Sequence, residues 1–256
     1  MKPQSSPHLP LLMGLLEQNG AKFTNLRWVT ETGSTNQDLL LDLAQGDASD
    51  DAVLVASKQN AGRGRQGRSW ITGTGSVAVS YAKALSNLSA NSGWLPLLTA
   101  VAVKKVVESN YDREISVKWP NDCLVDGQKV AGILVERNQE FAVIGLGINI
   151  SSAPEIETAT SLGLSDQVVI VADLLVEIKN AANQIQILTD KEIQEFISPL
   201  ISTIGKNVEV TNLDGSVTIG HAVGIGLNGA LLLSEGTSTI EILSGDVKHL
   251  RDADER

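Results

Sequence analysis

A segment rich in glycine and arginine, Gly62-Arg63-Gly64-Arg65-Gln66-Gly67-Arg68, contains the residue types best suited to bind an anion. Arginine side chains bind carboxylate or phosphate oxygens through paired hydrogen bonds, and glycines let backbone N–H groups approach a ligand closely. The segment lies in a stretch, residues 52–107, that contains seven Lys or Arg residues and no Asp or Glu. We therefore predict a local anionic ligand here, and the alternative is a flexible, solvated loop.

Lys118, in the segment Lys118-Trp119-Pro120-Asn121-Asp122, is a second candidate for contact with an anion. Ile115, Val117 and Trp119 alternate with polar residues, which predicts a strand with Lys118 on the opposite face. If both faces of the sheet are covered, the ammonium is buried and requires a negatively charged partner. If the strand lies at an edge, Lys118 reaches solvent instead.

Other common catalytic motifs are not indicated. The arginine-rich segment has the spacing G-x-G-x-x-G, but a strand rather than a helix is expected after it, so a dinucleotide-binding fold is not predicted. The sequence contains neither a P-loop nor a G-x-S-x-G motif. His8, His221 and His249 lack the spacing of metal ligands, so no metal site is identified, and we expect Cys123 to be a core residue.

The hydrophobic pattern predicts the elements that position these residues. Ser34 and Gln37 have the spacing of a capping box, which places Ser34 at the start of a helix that ends at Gly46. A hairpin is expected to turn at Asp126-Gly127. Further strands are predicted at 52–57, 76–83, 122–125, 130–136 and 141–150, and further helices at 94–110, 171–188 and 191–204.

The pattern changes at Gly205 to short strands separated by Asp214-Gly215, Asn228-Gly229 and Glu235-Gly236. Such regular spacing is typical of a small barrel or sandwich. We therefore predict an α+β fold with two domains. Residues 1–204 would form a mixed sheet with helices, and residues 205–256 a small β-barrel.

Composition limits the class of protein further. The chain has 256 residues, 42% of them hydrophobic and 20% charged, which is typical of a globular protein. A formal charge of −10 argues against a protein that coats nucleic acid or an anionic membrane. One cysteine excludes an intramolecular disulfide, and no apolar run approaches the ~20 residues that span a bilayer. We expect a cytoplasmic protein without a nucleic-acid or membrane partner.

Four segments of the chain together resemble the biotin protein ligases, in the order and spacing of that family. They are Gly33-Ser34-Thr35-Asn36, the stretch from Lys58 to Trp70, the segment from Lys118 to Asp122, and Lys129 to Glu136 with Ile144 to Asn149. Each motif is weak alone, but their combination is specific. The strands after residue 205 look like the C-terminal barrel of the family, which is similar to a Src-homology-3 domain.

The resemblance implies a ligase with a two-step reaction. The carboxylate of biotin would attack the α-phosphorus of ATP, with Mg²⁺, to give biotinyl-5′-adenylate and pyrophosphate. A lysine on the biotin carboxyl carrier domain of a carboxylase would then accept the biotinyl group. The charges fit this reaction, because cations must offset the repulsion between a carboxylate and a phosphate.

The resemblance also implies roles for individual residues. The residues that match the biotin-binding positions are Ser34, Thr35, Asn36, Gln59, Arg63, Gly64 and Arg65. The lysine that contacts the reacting carboxylate corresponds to Lys118, so the implied catalytic residues are Lys118, Arg63 and Arg65. The positions near the nucleotide correspond to Arg65, Arg68, Trp70 and Asn149. The glycines of the arginine-rich segment would allow it to close over the adenylate and exclude water.

The sequence leaves more than one function open. About 28 residues precede the first matched segment, which is too few for the DNA-binding domain of some family members, so we expect a monofunctional ligase. Lipoate protein ligases share the fold and the adenylate chemistry and are the nearest alternative enzymes. A protein that senses biotin without catalysis and an RNA-binding module are also compatible with the sequence. The sequence does not distinguish a monomer from a homodimer.

Overall fold

The computed structural model describes residues 4–87, 92–236 and 238–250, so the outer ends of the two predicted domains, residues 1–3 and 251–256, lie outside the described residues. A seven-stranded sheet with the order β1-β2-β3-β7-β6-β5-β4 forms the larger part. Its strands are β1 (Thr24–Val29), β2 (Ala52–Ala56), β3 (Ser76–Ala84), β4 (Ser116–Lys118), β5 (Asp122–Val125), β6 (Gln128–Arg137) and β7 (Phe141–Asn149). The sheet is mixed, because β1 and β2 are parallel while the other neighbours are antiparallel.

In the part of the chain that the structure describes, five α-helices accompany this sheet: α1 (Leu9–Gln18), α2 (Thr35–Gln45), α3 (Leu95–Tyr111), α4 (Gln167–Ile187) and α5 (Asp190–Ile197). Helix α2 packs on one face through Leu39 and Leu43, which contact a small core with Leu54 and Val143. Helices α1, α3 and α4 contribute to the main core, which also contains the buried side chains of Trp28, Trp94 and Trp119. Both faces of the sheet are therefore covered. None of the helices in the described ranges is long and apolar enough to cross a membrane.

The last two helices of the larger part differ from the prediction. Helix α4 begins at Gln167, four residues before the predicted start, because the Asp166 carboxylate accepts a hydrogen bond from the backbone N–H of Val169 and caps the helix. The predicted helix 191–204 is wrong beyond Ile197. It is followed by a short 3₁₀ turn containing Pro199, which cannot donate the backbone hydrogen bond of a continuing helix.

A second sheet with five antiparallel strands follows, in the order β11-β10-β9-β8-β12. Its strands are β8 (Asn207–Asn212), β9 (Val217–Ile225), β10 (Leu231–Glu235), β11 (Ser238–Ile242) and β12 (Gly245–His249). In this pairing β11 and β12 are the two edges, so the five strands do not close completely, which is consistent with the small β-barrel domain that we predicted. The two sheets are joined by hydrogen bonds, including Trp119 Nε1 to the Gly229 carbonyl at 2.9 Å.

Candidate active site

A cavity of about 320 Å³ lies between the two sheets, the start of α2 and the arginine-rich segment, which we name the arginine loop (residues 62–70). All eleven predicted site residues line this cavity, although they come from five separate parts of the chain. They are Ser34, Thr35, Asn36, Gln59, Arg63, Gly64, Arg65, Arg68, Trp70, Lys118 and Asn149. The structure thus brings together every residue that the sequence analysis selected.

The start of α2 forms one end of the cavity. The helix begins at Thr35 with Ser34 as the N-cap residue, as predicted, but the Ser34 side chain does not make the cap hydrogen bond. The Oε1 atom of Gln59 accepts a hydrogen bond from the Thr35 backbone N–H at 2.8 Å and is 3.1 Å from Thr35 Oγ1. Gln59 therefore caps the helix from outside. The predicted capping box is wrong in its bonding, although right in its position.

Asn36 lies in a buried polar network next to the helix start. Its Nδ2 atom donates to the Leu134 carbonyl at 3.1 Å and to Glu136 Oε2 at 2.9 Å. Its Oδ1 atom lies 2.6 Å from the hydroxyl of Ser80, which is fully buried. A Cβ atom at Gly145 would lie 2.4 Å from Asn36 Oδ1, so only glycine leaves room for the amide. Ser80 and Glu136 are network members that the sequence analysis did not select.

Arg63 connects the arginine loop to this network. Its guanidinium lies 3.8 Å from Glu136 Oε1. The carbonyl oxygen of Gln37, with its amide oriented to satisfy both groups, accepts from the two terminal nitrogens of Arg63 at 2.7 and 3.0 Å. The position of this arginine therefore depends on both α2 and β6.

Arg65 and Arg68 contact the turn between β11 and β12. Arg65 Nη2 donates to Ser244 Oγ at 2.5 Å, and Nη1 lies 3.3 Å from Asn121 Oδ1 and 3.4 Å from the Gly245 carbonyl. Arg68 forms an ion pair with Asp246. Burial lowers the pKa of Arg65, but arginine remains charged at any physiological pH. Arg65 is thus a desolvated cation held by neutral acceptors.

Arg65 differs in this respect from the other cations of residues 52–107. Each of these others has a carboxylate within 4.0 Å, supplied by a residue outside that stretch: the pairs are Lys58 with Glu31, Arg63 with Glu136, Arg68 with Asp246, Lys83 with Asp50 and Asp51, Lys104 with Glu108, and Lys105 with Glu177. Arg65 has no carboxylate within 4.0 Å among the described residues. The predicted attraction for an anion is therefore concentrated at Arg65.

Lys118 and Lys129 supply two ammonium groups to the cavity. β4 is an edge strand, yet Lys118 faces the cavity. Burial lowers the pKa of Lys118, and the nearby Lys129 and Lys206 lower it further against the opposing effect of Asp122 and Asp246. Lys129 Nζ lies 2.6 Å from Asp122 Oδ1, a contact too poorly aligned to count as a hydrogen bond. The sequence analysis did not select Lys129, although a lysine at the start of a buried strand was a signal for it.

Trp70 lies against bare backbone at the base of the arginine loop. A Cβ atom at Gly147 would lie 2.3 Å from the indole, and one at Gly132 would lie 3.4 Å from it. Gly132 and Gly147 are paired across β6 and β7, so the two strands present a surface without side chains. The indole Nε1 is buried without a hydrogen-bond partner, and Lys129 Nζ lies 5.8 Å from the ring centroid. The indole of Trp70 therefore covers the glycines of β6 and β7 and forms part of the cavity lining.

The chain is similar to known proteins over most of its length. The model of the Biotin/lipoate A/B protein ligase family matches residues 28–149, and that of the Biotin protein ligase C terminal domain matches residues 203–250. The biotin–[acetyl-CoA-carboxylase] ligase of Mycobacterium tuberculosis is 35% identical over 244 residues, which cover 91% of each chain. This chain belongs to the biotin protein ligase family.

Two further proteins match most of this chain. The bifunctional ligase/repressor BirA of Bacillus subtilis is 30% identical over 84% of this chain and 71% of BirA. The structure of the biotin protein ligase from Aquifex aeolicus in complex with biotin and ATP has a TM-score of 0.78 and 28% identity, and covers 90% of this chain and all of that one. The predicted family resemblance is confirmed.

Two further residues considered in the sequence analysis, Asn149 and Cys123, are buried. Asn149, a predicted nucleotide contact, is buried, and its Oδ1 accepts from Ser76 Oγ at 2.7 Å while its Nδ2 donates to the Thr160 carbonyl at 3.0 Å. Cys123 is buried, as predicted, and burial raises the pKa of its thiol. Within the described ranges, no three His, Cys, Asp or Glu side chains converge as metal ligands.

Proposed function

We propose that this chain catalyses the ATP-dependent attachment of biotin to a lysine of a biotin carboxyl carrier domain, through biotinyl-5′-adenylate. The observation that carries the proposal is a single cavity in which the polar start of α2 and the cations Arg65, Lys118 and Lys129 meet. In this proposal residues 1–204 form the catalytic domain and residues 205–256 a second, small domain. Membership of the biotin protein ligase family supports this assignment.

Biotin would lie between the start of α2 and the indole of Trp70, which covers the glycines of β6 and β7. The ureido ring of biotin is neutral and carries both donors and acceptors, so it suits Ser34, Thr35 and Gln59 better than charged groups would. The two Asn36 amide protons are already donated to Leu134 and Glu136. We therefore assign Asn36 to the support of the pocket, with one lone pair of its carbonyl oxygen left for the ligand.

Adenylation would take place where the three cations meet. The biotin carboxylate forms a bond to the α-phosphorus of ATP, and the bond from that phosphorus to the bridging oxygen breaks, with its electron pair leaving on pyrophosphate. Negative charge increases on the phosphoryl oxygens during this step, and Arg65, Lys118 and Lys129 would stabilise it. A neutral acceptor lysine then attacks the carbonyl carbon, loses a proton and displaces AMP.

The deciding experiment is mass spectrometry of a purified carrier domain after incubation with this protein, biotin and MgATP. We expect the mass to increase by one biotinyl group, at one lysine, only when all components are present. A parallel incubation with lipoate tests the alternative ligase. An unmodified carrier with biotin, together with a lipoylated one, would overturn the proposal in favour of the lipoate ligase.

The geometry does not favour the RNA-binding alternative. Arg65 and Arg68 contact Ser244, Asn121 and Asp246 rather than standing beside aromatic side chains on an open basic surface. Stacking platforms next to free arginines are the usual means of binding single-stranded RNA.

A further inference from the structure

The arginine loop is a closed hairpin whose tip reaches the C-terminal sheet. The Gly64 N–H donates to the Arg68 carbonyl at 2.7 Å, and the Trp70 N–H donates to the Gly62 carbonyl at 2.9 Å. Between these bonds the chain reverses through Gln66 and Gly67, both with positive φ. The side chains of Arg65 and Arg68 extend from this reversal to the turn Ser244-Gly245-Asp246.

We propose that the turn Ser244-Gly245-Asp246 is an anchor through which the C-terminal sheet positions the arginine loop for adenylation. The catalytic part of this inference rests on the function proposed above. The anchor would give the second sheet a direct role in a reaction whose other groups belong mainly to the first.

The two arginines have different roles in the anchor: Arg65 is oriented as a charged group, and Arg68 attaches the loop to the sheet. Arg65 is held by a hydroxyl and two carbonyl oxygens, from Ser244, Gly245 and Asn121, which fix the guanidinium without neutralising its charge. The carboxylates of Asp246 and Asp122 favour the charged form of Arg65, but among the described residues neither lies within 4.0 Å of it. Arg68 instead pairs with the carboxylate of Asp246, which ties the loop to the sheet. Arg65 thus stays charged and ordered, while Arg68 carries the attachment.

The turn is itself firmly seated in its sheet. A Cβ atom at Gly245 would lie 2.5 Å from Val210 Cγ1 and 3.0 Å from the Thr211 carbonyl, so the backbone of the turn lies directly on β8. Asn121, the third partner of Arg65, is fixed by a 2.7 Å hydrogen bond from its Nδ2 to the Ile133 carbonyl. Because Gly245 and Asn121 are held by their own contacts, attachment to them would restrict the loop before the ligand binds, and the ligand would have less ordering to drive.

Limited proteolysis with trypsin tests the anchor, because trypsin cleaves after arginine and the loop contains three. In the full chain without ligand, we expect the double variant Ser244→Ala/Asp246→Asn to be cut after Arg63, Arg65 and Arg68 roughly tenfold faster than the unaltered protein, the ratio for losing two such contacts. The single variant Asp246→Glu keeps the carboxylate, so we expect it to retain most of the protection from cleavage that Asp246→Asn loses. In biotin-dependent ATP–pyrophosphate exchange, the double variant should show a raised KM for biotin and a kcat/KM lowered roughly tenfold.

The matched control is Glu235→Gln, which removes one negative charge at an exposed end of β10 in the same sheet. It should leave both cleavage and exchange unchanged. Equal loop cleavage in the double variant and the unaltered protein, or cleavage of Asp246→Glu as fast as that of Asp246→Asn, would overturn the anchor. If the thermal unfolding midpoint of the double variant is lowered, the single variant Asp246→Asn replaces it in the comparison. We then expect loop cleavage to be several-fold faster than in the unaltered protein, and an unchanged cleavage rate would contradict the anchor. Absence of exchange in the unaltered protein would refute the proposed function, and the proteolysis would still decide the anchor.

Discussion

The ammonium groups of Lys118 and Lys129 and the carboxylate of Asp122 form the charged centre of the cavity. Burial lowers the pKa of Lys118, and no carboxylate of the described residues lies within 4.0 Å of its ammonium. Lys129 has its carboxylate within 2.6 Å. Of the two, Lys118 is therefore the cation with more to gain from an incoming anion.

We expect Lys118→Ala to lower biotin-dependent pyrophosphate exchange by at least ~100-fold, the scale for losing one preorganised charged group in a transition state. The control is Lys105→Ala, which removes an exposed lysine of α3 paired with Glu177. Near-normal exchange in Lys118→Ala would remove Lys118 from the role that the family resemblance implies.

The glycines under Trp70 give a second prediction at this scale. In Gly147→Ala the new methyl group would stand 2.3 Å from the indole, so either the ring or β7 must shift. We expect biotin affinity to fall about tenfold and the free energy of unfolding to fall by about 1–3 kcal/mol, as in other overpacked sites. Calorimetric titration with biotin and thermal unfolding measure the two effects.

Gly14→Ala is the control for that substitution, because no atom lies within 4 Å of a Cβ atom at this helical position. It should keep biotin affinity and leave stability equal or slightly raised. Unchanged biotin affinity in Gly147→Ala would show that biotin binding does not depend on the present position of the Trp70 indole.

Residue types were more predictable than residue partners. Glycine, arginine and lysine carried enough chemistry to select the cavity-lining residues Arg63, Arg65 and Lys118 from the sequence. Glu136 and Ser80 were missed because their function is visible only through Asn36, which lies 100 and 44 positions away along the chain. No spacing rule connects residues at such separations.

Strand β6 is the element that ties the pocket together. It supplies the Leu134 carbonyl and the Glu136 carboxylate to Asn36, and the same carboxylate faces Arg63 of the arginine loop. A single strand therefore supports both the start of α2 and the loop that lies over it.

Glu136→Ala is expected to weaken biotin binding about tenfold, because a buried Asn36 donor without an acceptor costs about 1–3 kcal/mol. Glu136→Gln keeps an acceptor for Asn36 but loses the charge that faces Arg63, so it should lose less affinity while its arginine loop becomes more sensitive to trypsin. Glu140→Ala, an exposed acidic residue in the turn after β6, is the control. Identical affinities for all three variants would contradict this role of β6.

The elements themselves were predicted well where a local signal existed. The hairpin at Asp126-Gly127 follows from its turn residues, and β5 and β6 lie on either side of it as expected. Helix α5 ends earlier than the hydrophobic period indicated, because Pro199 in the following turn cannot donate the backbone hydrogen bond of a continuing helix. Helix α1 and strand β1 were not predicted, and they are stabilised by packing on the main core.

At the scale of the whole molecule, one hydrogen-bonded chain crosses between the sheets. His249 Nε2 of β12 lies 3.2 Å from Thr203 Oγ1, which accepts from the Trp119 backbone N–H at 3.0 Å. Burial, together with the nearby Lys206 and Lys118, lowers the pKa of His249 to about 4. The second sheet thus contacts the segment that carries Lys118 through a neutral histidine.

This histidine predicts how stability depends on pH. Between pH 6.5 and about 4 the unfolded chain binds a proton that folded His249 does not, so the free energy of unfolding should fall as the pH falls through this window and be unaffected by His249 above it. Allowing for partial exposure, the loss is about 1 kcal/mol. Chemical denaturation measures this effect, and we expect the free energy of unfolding of His249→Gln to lack this part of the pH dependence. His221→Gln, an exposed histidine of the same sheet, should retain it; equal pH profiles for the two variants would contradict the assignment.

The charge pattern of the whole chain illustrates what sequence can and cannot supply. The acid-free stretch at residues 52–107 contains Arg65, which has no carboxylate within 4.0 Å among the described residues, but it also contains Lys83 and Lys104, whose carboxylate partners lie just outside it. Charge counted along the chain cannot show which cations are compensated in space. The contact between the two sheets at Trp119 and Gly229 was equally invisible, because it joins residues 110 positions apart.

The burial of Arg65 among neutral acceptors has a consequence for ionic strength. Mobile ions screen exposed charges effectively but reach a buried pair poorly. An anionic substrate group that meets Arg65 inside the cavity should therefore keep most of its affinity in concentrated salt, whereas the half-exposed pair of Arg68 and Asp246 should weaken. Raising the salt concentration would then loosen the tip of the arginine loop before it displaced the substrate.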